Sequence, residues 1–137
     1  MGLKEIMIKK KAKKNSKEPE RNGYIFCDRV ILKNNITHQG IGGKTGYFDR
    51  VLTLDDILEQ YRGMQNVAVL NFVSRRPDLF DESQPQYRMP KSKARDLKYH
   101  YIKIWNTNVA IYPEYSYLGY VIASDEIKKV IKVKDND

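Results

Sequence analysis

Apolar and polar positions divide this chain into short stretches of two different periods. The clearest lies between Leu52 and Val73. Leu54, Ile57, Leu58 and Tyr61 recur at i, i+3, i+4 and i+7, on one face of a helix. Thr53 stands where an N-cap belongs, Asp56 can close a capping box onto it, and Leu52 and Ile57 are spaced as a hydrophobic staple. Gly63 after Arg62 is a natural C-terminal stop. Val67-Ala-Val-Leu-Asn-Phe-Val73 is short, rich in β-branched residues and almost continuously apolar, so it predicts a buried strand.

The remaining stretches are mostly strand-like. Asn22-Gly23 is a turn signal, and Tyr24 to Lys33 alternates imperfectly as a first strand. A glycine-rich loop, Thr37 to Tyr47, leads to a short second strand ending at Leu52. Residues 75–95, with Pro77, Pro85 and Pro90, read as a long loop of about 20 residues, functional or flexible. Leu97 to Trp105 returns to strand character. Asn106-Thr-Asn108 predicts a turn into a hairpin partner, Val109 to Tyr112, and Tyr117 to Ala123 a further strand. Ser124 then resembles an N-cap, with Asp125 and Glu126 placed on the helix dipole. Ile127, Val130 and Ile131 would be the apolar face of a last helix, and Lys128, Lys129 and Lys132 its solvated face. The pattern predicts an α+β domain over residues 22–137: a small, mostly antiparallel sheet with two short helices, preceded by a disordered basic arm over residues 1–21.

Charge sharpens this picture. The chain of 137 residues carries a net +8, with 41% hydrophobic and 31% charged residues. Residues 1–20 hold seven Lys against three Glu, and residues 87–103 six basic groups against Asp96, leaving +4 and +5. The intervening residues 21–86 balance, and residues 104–137 carry −1. The excess therefore sits in the arm and in one internal segment, the footprint of a phosphate-binding surface. No apolar run reaches the ~18 residues of a transmembrane helix, and no apolar leader opens the chain. The single cysteine, Cys27, suits a reducing, cytoplasmic setting as a buried structural thiol.

Three groups of residues are candidates for chemistry. Basic and aromatic side chains interleave in Tyr87-Arg-Met-Pro-Lys-Ser-Lys-Ala-Arg95 and the following strand. Arg88, Lys91, Lys93, Arg95, Lys98 and Lys103 would contact phosphates, and Tyr99, Tyr101 and Trp105 would stack or pack. Strand alternation puts Tyr99, Tyr101, Lys103 and Trp105 on one face and His100, Ile102 and Ile104 on the other. In the arm, Lys9, Lys10, Lys11, Lys13 and Lys14 would add phosphate contacts. Second, Gly40-Ile-Gly-Gly-Lys-Thr45 could cradle an anion, but the first glycine a P-loop needs falls on His38, which excludes an NTPase loop. Third, His38 and His100 could act as a general acid–base pair, with Lys44 stabilising developing charge. Scattered Cys and His without ligand spacing predict no metal, and no cofactor is expected.

The element order fits neither of two RNA-binding folds. In double-stranded-RNA-binding domains the basic run opens the last helix, whereas here it precedes a middle strand. An RNA-recognition motif needs a helix between its third and fourth strands. The leading expectation is a small nucleic-acid- or nucleoprotein-binding accessory protein with little sequence preference. The alternatives are a protein-interaction module of phage or mobile-element type that inhibits a host machine, and a His-dependent ribonuclease. No membrane partner is expected.

Overall fold

The computed structural model describes residues 23–24, 26–36, 40–81, 89–105 and 117–133. The predicted basic arm, the hairpin at 106–112 and the middle of the long loop, 82–88, lie outside the described residues.

Five strands form one antiparallel sheet: β1 (Arg29–Leu32), β2 (Thr45–Leu52), β3 (Tyr99–Trp105), β4 (Tyr117–Ala123) and β5 (Ile127–Ile131). Two nine-residue helices, α1 (Leu54–Arg62) and α2 (Val67–Arg75), and a single helical turn, α3 (Ser92–Arg95), lie between β2 and β3. The α+β class and small antiparallel sheet expected from the pattern are what the chain forms. Among the described residues, no helix is long and apolar enough to cross a membrane.

The strand order is β4-β3-β2-β1-β5, so β4 and β5 are the two edges. Only the 3-10 turn Ser124–Glu126 separates them in sequence. Four residue steps from Ala123 to Ile127 reach about 14 Å at most. Four strand spacings across a flat sheet would need about 19 Å. The sheet must therefore curl until its edges approach, as an incomplete barrel. Register breaks assist the bend, in β2 between Phe48 and Arg50 and in β1 between Ile31 and Leu32. The Lys33 N–H donates to the Glu126 carbonyl at 2.9 Å, tying the end of β1 to the corner.

Each face of the curl has its own core. Inside it, Val30, Leu32, Ile102, Ile104 and Ile122 pack together, covered by Ile36 and Ile41 of the β1–β2 loop. Outside it, Leu52, Tyr99, Val121 and Ala123 pack under Ile57 and Leu58 of α1, Ala68, Val69, Phe72 and Val73 of α2, and Leu79, Phe80 and Ala94.

The start of α1 follows its sequence signature. Asp56 N–H donates to Thr53 Oγ1, and Thr53 N–H to the Asp56 carboxylate, each at 3.0 Å. Its end differs: Gly63 keeps helical backbone (φ −84°), and Met64 instead takes the left-handed conformation (φ 52°). Three other readings are corrected. Val67–Val73 is helix α2, not a strand. Asn66 caps it by accepting the Ala68 N–H at 3.0 Å, and Ala68, Val69, Phe72 and Val73 form one buried helical face. Ile127–Ile131 is strand β5, not a helix, because pairing with β1 satisfies its backbone. The first strand is shorter than expected: Cys27 N–H donates to Tyr24 O at 2.9 Å, a turn that leaves only Arg29–Leu32 in the sheet. The flanks of the long loop are anchored, since Leu79, Phe80 and Ala94 are fully buried and Phe80 bridges to Pro90.

Candidate nucleic-acid interface

The helical layer covers only part of the outer sheet face. Beyond it β2, β3 and β4 present Arg50, Tyr101, Lys103, Tyr47, Trp105 and Tyr117 in neighbouring registers. The guanidinium of Arg50 lies 4.4 Å from the centroid of the Tyr101 ring, and Lys103 Nζ lies 5.4 Å from it. The ring lies low over β4 because Gly119 has no side chain. A Cβ there would stand 2.0 Å from the Tyr101 hydroxyl and 2.4 Å from Cζ. Arg50 pairs with Asp49 at 3.1 Å, and Lys103 has no ion pair among the described residues. Beside this group Tyr24 stacks on Tyr47 at 5.5 Å and meets Tyr117 at 4.9 Å. Burial and nearby Asp49 raise the Tyr24 phenol above its usual range, so it stays neutral at physiological pH.

The expected site residues divide. Lys91, Arg95 and Lys98 are exposed and make no ion pair among the described residues. Lys93 is exposed but held by Asp78 at 3.2 Å and Asp125 at 3.9 Å. Tyr99 is a core residue, not a stacking platform: it is 1% exposed, and its hydroxyl donates to the Ala94 carbonyl at 2.6 Å. Tyr101, Lys103 and Trp105 are half-buried, and the Trp105 indole Nε1 is buried with no acceptor among the described residues. Arg88, Lys9, Lys10, Lys11, Lys13, Lys14 and His38 lie outside the described residues. Alternation along β3 identified the Tyr101–Lys103 face. Arg50 carried no sequence signal, because only the pairing of β2 with β3 brings it there.

The catalytic grouping does not form between His100 and Lys44. His100 pairs with Val51, whereas Lys44 precedes β2 by one residue. Seven residues of strand separate those positions by roughly 20 Å. His100 faces Phe48 inside the curl, ring centroids 5.0 Å apart. Burial, with Lys98 adding repulsion, lowers its pKa below the ordinary imidazole value. The sign follows: the unfolded chain takes up the proton more readily, so this contribution is complete above about pH 6.5 and is lost as pH falls below it. His100→Gln is expected to flatten the stability profile between about pH 5 and 7, measured by urea denaturation at stepped pH.

The glycine-rich loop folds on itself. Gly43 N–H donates to Lys33 O and Lys44 N–H to Ile41 O, each at 3.1 Å, which directs both away from any anion. Gly43 has φ +76°, and a Cβ on Gly42 would meet the Ile36 and Asn34 carbonyl oxygens at 2.5 and 2.7 Å. The glycines thus serve the loop's own closure.

A second polar constellation lies where α2, α3 and the β4–β5 corner meet, around a cavity of about 310 Å³ lined by Arg75, Arg76, Asp78, Lys93, Asp125, Glu126, Asn35 and Ile36. Arg75 donates to Glu126 and, at 2.9 Å, to the Val121 carbonyl. Arg76 forks onto Asp78 (both bonds 2.9 Å) and onto Asp125 (2.9 and 2.8 Å), and lies 3.3 Å from Glu126. Three cations face three carboxylates, so the cluster is neutral and acts as a clamp joining distant segments. Among the described residues no group of three His, Cys, Asp or Glu side chains is placed to hold a metal ion. Compared with protein-family models, curated proteins and solved structures, the chain matches none of them.

Proposed function

We propose that the protein binds nucleic acid, with the Arg50–Tyr101–Lys103 group as the centre of the contact. The observation that supports this reading is two cationic heads over one tyrosine ring on a sheet face the helices leave uncovered. A splayed base can continue the ring–guanidinium stack on the outer side of Arg50, while Lys103 meets the adjoining phosphate. Lys91, Arg95 and Lys98, whose charges no carboxylate offsets among the described residues, extend the phosphate track. Such contacts read charge and base planes rather than sequence, so single strands are preferred over duplexes with little sequence preference.

Fluorescence anisotropy with labelled single-stranded RNA, duplex RNA and duplex DNA tests this. The four phosphate contacts of Lys103, Lys91, Arg95 and Lys98 predict about a fiftyfold loss of single-strand affinity between about 50 and 200 mM salt. Arg50→Gln/Lys103→Gln is expected to lower the logarithmic salt slope by about 0.7, from the lost Lys103 contact, and to weaken binding further through the lost stack on Arg50. Unchanged affinity and slope in that variant would refute the site. A variant with Gln at Lys9, Lys10, Lys11, Lys13 and Lys14 separates the arm's share. Gly119→Ala offers an independent check. Its methyl group forces the Tyr101 ring off β4, so it should weaken binding about as much as Tyr101→Ala does, by roughly tenfold for one lost stacking contact.

A further inference from the structure

Rings and cations read base planes and phosphates, whereas a carboxylate beside them reads the edge of a base. Asp49 holds that position through a break in strand pairing. On β2, Phe48 lies opposite Ile102 and Arg50 opposite Tyr101, so Asp49 is the extra residue of a β-bulge. Regular alternation would turn Arg50 to the inner side of the sheet, with Phe48. The extra residue turns it outward instead, so that Asp49 and Arg50 together oppose Tyr101 and the guanidinium lies over its ring. Bulges recur beside functional sites because they re-aim a side chain in this way.

The bulge sets a carboxylate next to the stacked guanidinium. Arg50 Nη1 lies 3.1 Å from Asp49 Oδ2, and the two side chains are 51% and 31% exposed. A pair this exposed is weak and does little to hold Asp49 away from a ligand. The other carboxylate oxygen, Oδ1, accepts no hydrogen bond among the described residues. After burial, Asp49 is the main influence that raises the Tyr24 phenol, which places the carboxylate on the tyrosine side of β2. It therefore borders the outer side of Arg50, where a splayed base would stack.

Acceptor chemistry selects the base. A carboxylate accepts hydrogen bonds and donates none. Guanine carries two neighbouring donors on its Watson–Crick edge, N1–H and the N2 amino group. Adenine and cytosine set an amino group beside a ring-nitrogen acceptor, and uracil sets N3–H between two carbonyl oxygens, so each of these turns a lone pair toward the carboxylate. We infer that Asp49 is a specificity-determining residue, accepting from the N1–H and N2 amino group of a guanine stacked on Arg50 in single-stranded RNA. The inference rests on the nucleic-acid reading and deepens it, making one base position selective within a track that otherwise meets phosphates. Pairing with cytosine hides the same edge in a duplex, which gives the preference for single strands a second cause.

Fluorescein-labelled uridine nonamers with one central guanine, adenine, inosine or uracil, titrated against the full chain by anisotropy, provide the test. Guanine should bind about tenfold more tightly than adenine, a purine that stacks comparably. Inosine, which lacks the N2 amino group, should fall between them. In Asp49→Asn and Asp49→Ala the guanine-to-adenine ratio should shrink to within about twofold. A ratio between two oligonucleotides is insensitive to the variant's altered charge or stability, so a merely structural role for Asp49 would leave it unchanged. Equal affinities for the guanine and adenine strands in the unsubstituted protein overturn this inference alone, provided that Arg50→Gln/Lys103→Gln still weakens both. A guanine preference that survives in both Asp49 variants overturns it too, since another group then reads the base. Absence of saturable binding by every strand overturns it together with the nucleic-acid reading.

Discussion

Glu126→Ala is expected to lower the free energy of unfolding by about 3–5 kcal/mol, the usual consequence of removing one partner from a buried ion pair. The Glu126 and Arg75 side chains are only 8% and 5% exposed, and Arg76 shares the same carboxylate. Glu126 also accepts the Ala123 N–H at 2.9 Å, so the substitution frees the last backbone donor of β4 and takes a carboxylate from both guanidiniums, Arg76 keeping Asp78 and Asp125 and Arg75 the Val121 carbonyl. Water solvates these groups poorly, which is why the loss exceeds that of a surface pair. Arg75→Met/Glu126→Leu, which removes both charges and keeps the volume, should recover much of the loss. Urea denaturation of the three proteins checks this, and a loss under about 1 kcal/mol for Glu126→Ala would show that the cluster is effectively hydrated. The same cluster sets an acid limit. Hydrogen bonds from Arg76 hold the Asp78 carboxyl well below its usual range and lower that of Asp125. Their contribution is therefore present above about pH 4 and is lost as pH falls and the carboxylates protonate.

Phe72→Ala should cost about 3–5 kcal/mol. Phe72 is fully buried on α2, edge-on to Phe80 at 6.2 Å and to Tyr99 at 5.7 Å. It thus joins the helix, the start of the long loop and the sheet. Val69, Val73 and Leu79 of the same core are themselves fully buried, and the Arg75 guanidinium, 5.0 Å from the Phe72 ring centroid, is tied to Glu126 and the Val121 carbonyl, so little can move in to fill the void. Chemical denaturation gives the stability, and a cost below about 2 kcal/mol would mean that the helical layer collapses onto the sheet more readily than this packing implies.

Phe72 also shows why part of the fold was hard to read. In Val67–Val73 a seven-residue apolar run shows no period, and its β-branched residues favour a strand. Asn66 was the available signal for a helix, a cap residue directly before the run. The opposite error befell β5. Ile127, Val130 and Ile131 have helical spacing, but the open edge of β1 supplies hydrogen-bond partners that no local pattern records. α1 was legible because Thr53 and Asp56 satisfy its first turn from within. In the charged cluster, Arg75, Arg76 and Asp78 lie within one short stretch, whereas Asp125 and Glu126 lie some fifty residues further on and meet them only through the curl. The Tyr101–Lys103 face followed from strand alternation. The burial of Tyr99 two residues earlier did not, because it depends on where the helical layer ends.

The pairing of β1 with β5 sets the order of events during synthesis. Arg29 meets Ile131, about a hundred residues further along the chain. A growing polypeptide emerging from the ribosome can fold α1 and α2 early, from local contacts. It cannot cover the outer edge of β1 until residues 127–131 have left the exit tunnel. Throughout that interval Val30 and Leu32 lie in an unfinished sheet, the state in which a nascent chain has most need of a chaperone.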